Sequence, residues 1–502
     1  MERYLLGVDL GTTASKAAIY RLDGTAVSEG RAEVPVRNPS PGVVEQDLDE
    51  IYHSAAAAVR AVAAACPEDP RRIAAIAFDS QMAGVGAIDD DFRPATHFDS
   101  WLDMRCRPYI EQMDRSHGGE VTAITGCPPT CDHGPKILWW MHERPAEFAR
   151  IAKFLMPSAY VAGRCCGLKA ADAYIDHTFL HFTALADARA GTWSGRLCSA
   201  FGADPRRLPR IVRPWDVAGE LRGEAARDFG VPAGIPIAAG CGDTAAGALG
   251  AGLVRPGMLL DTAGTASVLA CSTDRFTADT EHRALLIMRS ALPGLWHQLA
   301  YVGGGGLALR WLRDNFLDAG AGYEDLTGEA ARAPAGCGGL LFSPHLGGRI
   351  CPAAPRMRGA WVGFSWNHSR AHFFRAVLES IAYEYAFYLD IPRELDPALA
   401  LVEARVIGGG ARSGFWNRMK AGVLGVPYRR VLRTESATWG AALIAGQAAG
   451  LIPDPAGHAE ATAAVEDGRA EADANDAAAY RAAYARYRRW QENLRDGFCR
   501  HD

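Results

Sequence analysis

The first residues with evident chemistry lie in one short polar segment near the start of the chain. Asp9, Gly11, Thr12 and Thr13 stand between two apolar runs that suit buried strands. Glycine lets a backbone approach a ligand closely, and the threonines offer amides and hydroxyls to anionic oxygens. A carboxylate at position 9 suits a hydrated Mg²⁺ ion. The segment indicates a phosphate-binding loop, although an ordinary hairpin with a polar turn explains it equally well.

A second copy of this pattern favours the phosphate-binding interpretation. The stretch "LLDTAGTASVLAC" starts at Leu259 and contains an apolar run, Asp261, a loop at Gly264-Thr265 and another apolar run. Internal similarity at a spacing of half the chain is typical of duplicated domains. Two such loops that face each other would bind a polyphosphate from both sides.

A third glycine-rich segment follows a predicted strand that ends at Ile407. The residues Gly408-Gly409-Gly410-Ala411 lead into a predicted helix with apolar positions at Trp416 and Met419. Small residues at a strand-to-helix turn allow a flat ring or a ribose to approach the backbone. A tight turn without a ligand explains the same residues equally well.

Composition limits the classes of protein and partner. The chain has 502 residues, of which 49% are hydrophobic, which is enough for two domains with substantial cores. The net charge is -5 and Lys and Arg are scattered, so we predict no nucleic-acid partner. No apolar run is as long as a bilayer span, and no signal peptide precedes the first predicted strand. We therefore predict a cytoplasmic protein with no membrane partner and with reduced thiols.

Several well-known motifs are missing or incomplete. The chain has no Walker A sequence, which excludes P-loop enzymes. Asp228-Phe229-Gly230 resembles the DFG motif of protein kinases, but the other elements of that set are missing, so chance explains it better. Cys127, Cys131 and His133 lack a second ligand pair at zinc-finger spacing. We expect neither a protein kinase nor a zinc site.

Ten segments, taken together and in order, resemble the FGGY carbohydrate kinases of the actin/hexokinase superfamily. They are "GVDLGTTASKAAIY", "GVVEQDLDEIY", "SQMAG", "SWLDMRC", "AAGCGDTAAGALGAG", "DTAGTASVLA", "LRWLRDNF", "RGAWVGFSWNHSRAHFFRAVLESIAYE", "GGGARSGFWNRMKAGVLGVP" and "ESATWGAALIAG". The segment from Arg358 to Glu384 is similar to the C-terminal signature of the family. Each match alone is weak, but ten in register across nearly the whole chain identify it as a member.

The resemblance implies an α/β fold of two duplicated actin/hexokinase-like (ribonuclease H-like) domains, with ATP and sugar meeting in the cleft between them. We predict an N-terminal domain over residues 1–248 and a C-terminal domain over residues 249–502. The cofactors implied are ATP and Mg²⁺, the metal at Asp9. The residues implied for ATP binding are Gly11, Thr12, Thr13 and Lys16 in the first phosphate loop, Gly264 and Thr265 in the second, and Gly409, Gly410, Ala411 and Asn417 at the adenosine.

The resemblance also supplies a catalytic base. Phosphoryl transfer needs a group that accepts the proton of the attacking sugar hydroxyl. Asp243 in "GCGDTAAG" matches the catalytic aspartate of the family. The same residue is suited to N-cap a helix that starts at Thr244, and the two roles are compatible.

The sugar is expected to bind on the first domain. The positions implied for it are Gln81, Met82, Trp101, Asp103 and Arg105, together with Asp243. Asp103 is suited to accept hydrogen bonds from two vicinal hydroxyls, and Trp101 to form an apolar wall. For Met82 and Trp101, core packing explains the residue type about as well.

Three positions depart from the pattern of the family. Xylulokinases carry Met-His-Gly where this chain has Met82-Ala83-Gly84, and Asp-Asn where it has Asp243-Thr244. Such changes alter the polar contacts that select a sugar. The family has an Asp-x-Ser element where this chain has Asp176 and His177, so the role of these two residues is open.

The whole pattern is most similar to the xylulokinase-type branch. It implies transfer of the γ-phosphate of ATP to a primary hydroxyl of a ketopentose such as xylulose. The alternatives are a kinase for another ketose or polyol, such as ribulose, erythritol, erythrulose or a glycerol-like compound, and a non-catalytic sugar sensor. Sensors of this fold usually carry an added DNA-binding helix-turn-helix, for which we see no segment here. The family also implies a homodimer.

Overall fold

The computed structural model describes residues 2–264 and 266–499, with only the backbone at position 499. Thr265, one of the predicted phosphate-loop residues, lies outside the described residues. Thirteen of the strands form two large sheets. They are β1 Tyr4–Leu10, β2 Ala14–Arg21, β3 Ala26–Glu33, β4 Ile73–Ser80, β5 Val217–Glu220, β6 Pro236–Ala238, β7 Cys241–Gly242, β8 Met258–Ala263, β9 Ser267–Thr273, β10 Leu286–Arg289, β11 Trp296–Val302, β12 Glu403–Ile407 and β13 Tyr428–Arg430.

The two sheets repeat one arrangement. The first has the order β5-β6-β4-β1-β2-β3, with β7 paired to β4, and the second has the order β10-β11-β9-β8-β12-β13. In each, an antiparallel hairpin (β1–β2 or β8–β9) lies beside a parallel strand that comes later in the chain (β4 or β12). This repetition confirms the predicted duplication and the predicted α/β class.

Helices cover the faces of these sheets and fill the connections between strands. They are α1 Leu48–Ala65, α2 Arg107–Thr125, α3 His133–Glu143, α4 Pro145–Ala149, α5 Pro157–Cys166, α6 Gly195–Phe201, α7 Gly223–Phe229, α8 Asp243–Gly250, α9 Gly305–Phe316, α10 Tyr323–Ala330, α11 Arg370–Leu395, α12 Gly414–Leu424, α13 Ser436–Ala448, α14 Pro455–Thr462 and α15 Ala474–Cys499. The predicted helix after the third glycine segment is confirmed as α12. Over the described residues, no helix has the length and apolar character that a bilayer span requires.

Shorter elements complete the connections. Five two-stranded sheets pair Glu45–Gln46 with Phe98–Asp99, Gly86–Ile88 with Lys153–Leu155, Tyr174–Asp176 with Arg210–Val212, Ala186–Asp187 with Thr192–Trp193, and Leu341–Ser343 with Ala360–Val362. The 3₁₀ turns are Pro70–Arg72, Ala170–Asp172, His177–Phe182, Pro205–Arg207, Cys337–Gly339 and Gly409–Arg412. Every cysteine from Cys66 to Cys351 has a free thiol.

Helix α13, from the second half of the chain, packs against the first half. It comes late in the chain but packs on α8 and on strands β1 and β4 of the first sheet. A Cβ added at Gly7 would lie 1.8 Å from the Thr438 carbonyl oxygen, and one added at Gly440 would lie 1.9 Å from that of Ala246. Only glycine permits such approach at both places. The carboxyl ends of β1 and β4 therefore lie close to residues from the second half of the chain.

Candidate active site

The first predicted phosphate loop, between β1 and β2, is held by residues of the predicted sugar side. Trp101 Nε1 donates to Thr12 Oγ1 at 3.0 Å, and Thr12 Oγ1 donates to Gln81 Oε1 at 3.3 Å. Gln46 bonds to both partners: its Nε2 donates to the Thr12 carbonyl at 2.9 Å and its Oε1 accepts from Gln81 Nε2 at 2.7 Å. Thr13 at the tip of the loop is exposed. The loop therefore has a fixed shape, and its tip faces solvent.

Three carboxyl groups converge at the base of this loop. Asp9 on β1 and Asp79 on β4 are register partners on neighbouring parallel strands. Cys241 on β7 is the other register partner of Asp79, and Asp243 follows it as the first residue of α8. Asp9 is 8% exposed and Asp79 is fully buried, whereas Asp243 is half-buried. The site thus gathers acidic groups from three elements of the first half of the chain.

Lys16 is the cation nearest to this group among the described contacts. Its Nζ lies 3.8 Å from Asp9 Oδ2 and 2.7 Å from Oε2 of Glu435, the residue immediately before α13. The lysine therefore joins the first phosphate loop to the second half of the chain. Its contact with nucleotide phosphate stays a prediction.

The carboxyl group of Asp243 has properties of a proton acceptor. Burial, followed by the negative charge of Asp9, raises the pKa of Asp243 to about 7. Two hydrogen bonds from Thr244 oppose this rise, from its amide at 2.6 Å and from its hydroxyl at 3.1 Å, and both are accepted by Oδ1. A carboxylate with a pKa near neutrality accepts a proton from an alcohol more readily than an ordinary aspartate does.

The helix that carries Asp243 begins one residue earlier than the sequence predicts. Asp243 is the first helical residue, and the N-cap position belongs to Gly242, which has no side chain to cap with. The Gly242 amide instead donates to Thr178 Oγ1 at 2.9 Å. Thr178 in turn donates to Asp176 Oδ1 from its amide at 2.9 Å and its hydroxyl at 2.6 Å. Asp176 therefore fixes the backbone immediately before Asp243, which gives a structural role to a residue whose role was open.

His177 contacts the second half of the chain. Its Nε2 lies 3.0 Å from the carbonyl oxygen of Ser290, and the 3₁₀ turn that it begins packs against β10. Burial lowers the pKa of His177 to about 3, so the ring is neutral at physiological pH. The histidine therefore belongs to the contact between the two halves of the molecule.

Met82 lies directly beside the start of α8. A Cβ added at Gly242 would lie 2.6 Å from Met82 Sδ, so the thioether fills the space above that glycine. The next residue, Ala83, has a φ of 58°, which is unusual for a residue with a side chain. Lys136 Nζ donates to the Ala83 carbonyl at 3.0 Å and holds this strained turn in place. Strain of this kind is concentrated at functional sites.

The predicted sugar strip divides into two parts. Trp101 faces the phosphate loop, but Asp103 is 1% exposed and both of its oxygens accept from protein donors. Arg105 binds three carboxylates: Asp103, Glu45 at 2.6 Å and Asp99 at 2.7 Å. It also lines an open cavity of about 450 Å³ whose lining does not include Asp243. Contact of Asp103 or Arg105 with a sugar stays a prediction, and it would require these bonds to rearrange.

The second phosphate loop and the third glycine segment lie against each other. Gly408 has a φ of 87°, and a Cβ there would lie 2.8 Å from the Ala263 carbonyl oxygen. A Cβ at Gly410 would lie 2.5 Å from Trp416 Cζ3. Glycine is therefore required where the turn after β12 meets the loop after β8. This contact places the predicted adenosine residues next to Gly264.

Asn417 holds this segment from α12. Its Nδ2 donates to the Ala411 carbonyl at 2.9 Å, and its buried Oδ1 has no donor among the described residues. A buried acceptor without a donor is costly, so a ligand that supplies one would be favoured there. The arrangement is compatible with the predicted adenosine contact.

The acidic cluster offers carboxylate oxygens, which are the ligands that Mg²⁺ prefers. Both side-chain oxygens of Asp79 are buried, and among the described residues the only side chain that can share a hydrogen bond with them is the carboxyl group of Asp9. Burial also raises the pKa of Asp9, an effect that Lys16 opposes. An uncompensated group of acids suits a divalent cation, and the residues present fit Mg²⁺ on these grounds.

Sequence reasoning missed two features of this site. Asp79 stands in the same "FDSQMAG" segment as Gln81, and its position at the end of a buried strand was the available signal. Gly303-Gly304-Gly305-Gly306 spans the start of α9, and the Gly306 amide donates to the Gly264 carbonyl at 3.0 Å. A run of four glycines at the start of a helix was a direct signal of close approach to another loop.

Comparison with known proteins agrees with this architecture. The model of the "FGGY family of carbohydrate kinases, N-terminal domain" matches residues 4–250, and that of the corresponding C-terminal domain matches residues 261–449. A gluconokinase from Bacillus subtilis is 27% identical over 466 residues, which cover 90% of this chain and 89% of the relative. A xylulose kinase from Staphylococcus epidermidis is 26% identical over 455 residues, with the same two coverages.

A solved structure gives the same result. The crystal structure of a "xyloylose kinase" from Brucella ovis has a TM-score of 0.89 and 28% identity, and the match covers 98% of this chain and 99% of that one. The fold and site thus define a kinase with a cleft between two duplicated domains. This chain belongs to the FGGY family of carbohydrate kinases. It is a phosphotransferase that uses ATP and has an alcohol group as acceptor.

Proposed function

We propose that this kinase transfers the γ-phosphate of ATP to a primary hydroxyl of a ketopentose such as xylulose, with Asp243 as the general base. The observation that carries the proposal is the setting of Asp243. It begins a helix beside the first phosphate loop, and burial together with Asp9 raises its pKa to about 7. Because Thr244 occupies Oδ1, the sugar proton is proposed to move to Oδ2.

The nucleotide is proposed to lie between the two loops. Gly11, Thr12, Thr13 and Lys16 would meet its terminal phosphate, and Gly264 and Thr265 the phosphates nearer the ribose. The segment Gly409-Gly410-Ala411 and Asn417 would hold the adenosine. Mg²⁺ held through Asp9 would neutralise charge on the β- and γ-phosphates when it is bound.

Water must be excluded from this cleft because it would otherwise compete with the sugar hydroxyl. Contacts that already join the two halves include Lys16 with Glu435, and Tyr20 with Thr438 at 2.7 Å. We expect the rate of ATP hydrolysis without sugar to be low. A sugar-independent rate equal to the sugar-dependent one would contradict domain closure.

The ketose is favoured over an acidic sugar by the charges on the predicted sugar side. An aldonate such as gluconate carries a carboxylate, which needs a cation in the site. Arg105, the only cation among the predicted sugar residues, is already bound to three carboxylates. Gluconate remains the second candidate because a gluconokinase is among the relatives at 27% identity.

The test is a coupled ADP-release assay with Mg-ATP against ketopentoses, tetruloses, ketohexoses, polyols and gluconate. The proposal predicts the highest kcat/KM for a ketopentose, and loss of that activity in Asp243→Asn. A higher kcat/KM for gluconate would identify gluconate as the preferred substrate and would leave the assignment as a sugar kinase unchanged. Sugar binding without any ADP release would instead support the sensor alternative.

We also propose a homodimer in the cytoplasm. Phe364 and Trp366, which precede α11, are strongly exposed, and an exposed aromatic patch is typical of a protein interface. Light scattering after gel filtration would give the mass, and a monomer at micromolar concentration would contradict the dimer. Cell fractionation would test the location.

A further inference from the structure

The strongest unexplained feature of the molecule is the carboxyl group of Asp79. It is fully buried, and among the described residues the only side chain that can share a hydrogen bond with it is the neighbouring carboxyl group of Asp9. Asp261, which is also fully buried, has both a lysine and a tyrosine as partners. Burial disfavours the charged form of such a carboxyl group unless a proton or a cation compensates the charge. A cation bound in a working state of the enzyme would supply that compensation.

The surroundings of Asp79 show which partner is missing. Burial, and then the charges of Asp9 and Asp243, raise the pKa of Asp79 well above its usual range. Lys16 lowers it, but that lysine is 2.7 Å from Glu435 and belongs mainly to that pair. The described neighbours therefore provide two more negative charges and only a distant positive one. A cation that arrives at Asp9 would reduce the cost of all three acids at once.

We propose that Asp79 is a further carboxylate of the Mg²⁺ position at Asp9 and increases the affinity of that position for the magnesium–nucleotide complex. This inference rests on the proposed function, because it takes Asp9 as the metal-binding residue. Register supports it: Asp9 and Asp79 are paired on adjacent parallel strands, so their side chains leave the same face of the sheet. Mg²⁺ keeps several water ligands, so a carboxylate behind the first one contributes through those waters.

The test compares Asp79→Asn with the unchanged protein. Binding of Mn²⁺ in the presence of the β,γ-imido analogue of ATP is measured by the electron paramagnetic resonance signal of free Mn²⁺. We expect the Mn²⁺ Kd to rise about 10- to 100-fold, as for other residues that act on a metal through its ligands. We also expect the metal-free melting temperature to stay the same or increase, because Asn removes repulsion and leaves the shape of the side chain unchanged.

Asp99→Asn is the matched control. Asp99 is also a buried aspartate of the first domain, but it is paired with Arg105 at 2.7 Å and with Trp140 at 2.6 Å. Its substitution should lower the metal-free melting temperature and leave the Mn²⁺ Kd within about twofold. Asp79→Ser, which lacks the amide that could form new bonds, serves as the second variant if Asp79→Asn does not fold.

The outcomes separate this inference from the proposed function. A Kd for Asp79→Asn within twofold of the unchanged protein overturns the inference, while the proposed function stands. A lower metal-free melting temperature with an unchanged Kd also overturns it, because Asp79 would then be purely structural. If the unchanged protein itself fails to bind Mn²⁺ with the nucleotide analogue, both the proposed function and the inference are wrong.

Discussion

Each of the two duplicated hairpins carries an aspartate near the end of its first strand, but the surroundings differ. Asp9 lies two residues before the loop glycine Gly11, and Asp261 lies three residues before Gly264. Asp9 on β1 has a lysine and an aspartate as cross-strand neighbours, whereas Asp261 on β8 has a leucine and a valine. The first carboxylate is slightly exposed, and the second is completely buried. Because side chains alternate along a strand, this offset of one residue directs the two carboxylates to opposite faces of their sheets, where they meet different neighbours.

The difference lies in how the charge is compensated. Asp261 forms a fully buried ion pair with Lys420 of α12 and accepts a hydrogen bond from Tyr385 of α11 at 2.7 Å. Burial lowers the pKa of Lys420, and Asp261 opposes that effect. The acids around Asp9 have no equivalent partner among the described residues. We infer that the second hairpin stabilises its domain, and that the first keeps negative charge available for a metal–nucleotide ligand.

The largest effect is expected at Asp243, on the reactive side of the comparison. Asp243→Asn should reduce kcat by about 10²- to 10⁴-fold, the usual contribution of a general base. Its melting temperature should not fall, because an amide cannot carry the charge that burial disfavours. Steady-state kinetics with saturating substrates measures the loss. Asp228→Asn, in the DFG-like sequence, is the control and should stay within about threefold; a kcat above a tenth of the original in Asp243→Asn contradicts the assignment.

The second largest effect is expected in the other hairpin, on stability. Lys420→Met removes the counter-charge of buried Asp261 and should reduce the free energy of unfolding by about 3–5 kcal/mol. Urea denaturation measures this quantity. The control is Arg107→Met, which breaks an exposed pair with Glu111 at 3.4 Å and should cost about 0–1 kcal/mol. Equal losses in the two variants would show that the buried ion pair contributes no more to stability than the exposed one.

The next effect is expected in the pH dependence of kcat/KM, which depends on the acidic residues at the first hairpin. Asp243 must be ionised to accept a proton, and its pKa in the free protein is raised to about 7. The logarithm of kcat/KM should therefore fall below pH 7, by about tenfold in kcat/KM per unit. Asp9→Asn should move this fall in kcat/KM to lower pH, since the charge of Asp9 raises the pKa of Asp243. A flat profile from pH 5.5 to 8 would count against Asp243 as the base.

The smallest effect is expected at the hydrogen bond that holds the first loop. Trp101→Phe removes the donor to Thr12 Oγ1 but keeps an aromatic wall. One hydrogen bond is worth about 0.5–1.5 kcal/mol, so KM for ATP should rise about 2- to 10-fold with little change in kcat. Trp193→Phe, which loses a bond to the Pro209 carbonyl at 2.8 Å, is the matched control. If both variants raise KM equally, the bond to Thr12 has no special role.

The repeated hairpins were predictable because their apolar runs and polar turns are local patterns. The class of fold followed from the duplication and from motifs in register. The partners of Asp9 and Asp261 were not predictable, because Asp79 and Lys420 reach these residues through strand pairing and packing. The domain boundary at residue 248 stays a prediction; the helix α8 extends across it, to Gly250.

The same limit applies to the candidate site. Gln81 and Trp101 were recognised as one side of the cleft, but nothing in the sequence showed that Thr12 joins them. Asp103 and Arg105 match the family equally well, yet their partners are other charged side chains of the same domain. The sequence identifies residues whose side chains could bind a ligand. Only the folded structure shows which of these side chains are already bonded to other parts of the protein.

The most direct test of the account is to compare Asp9→Asn with Asp261→Asn under identical conditions. Urea denaturation and the Mg²⁺ dependence of sugar phosphorylation are measured for each. The account predicts that Asp9→Asn weakens apparent Mg²⁺ affinity by about 10- to 100-fold and leaves the unfolding free energy nearly unchanged. It predicts the reverse for Asp261→Asn: lost stability with normal Mg²⁺ dependence of the folded protein. If both variants lose stability alike, or if Asp9→Asn keeps its Mg²⁺ affinity, the two hairpins do not differ in the way proposed.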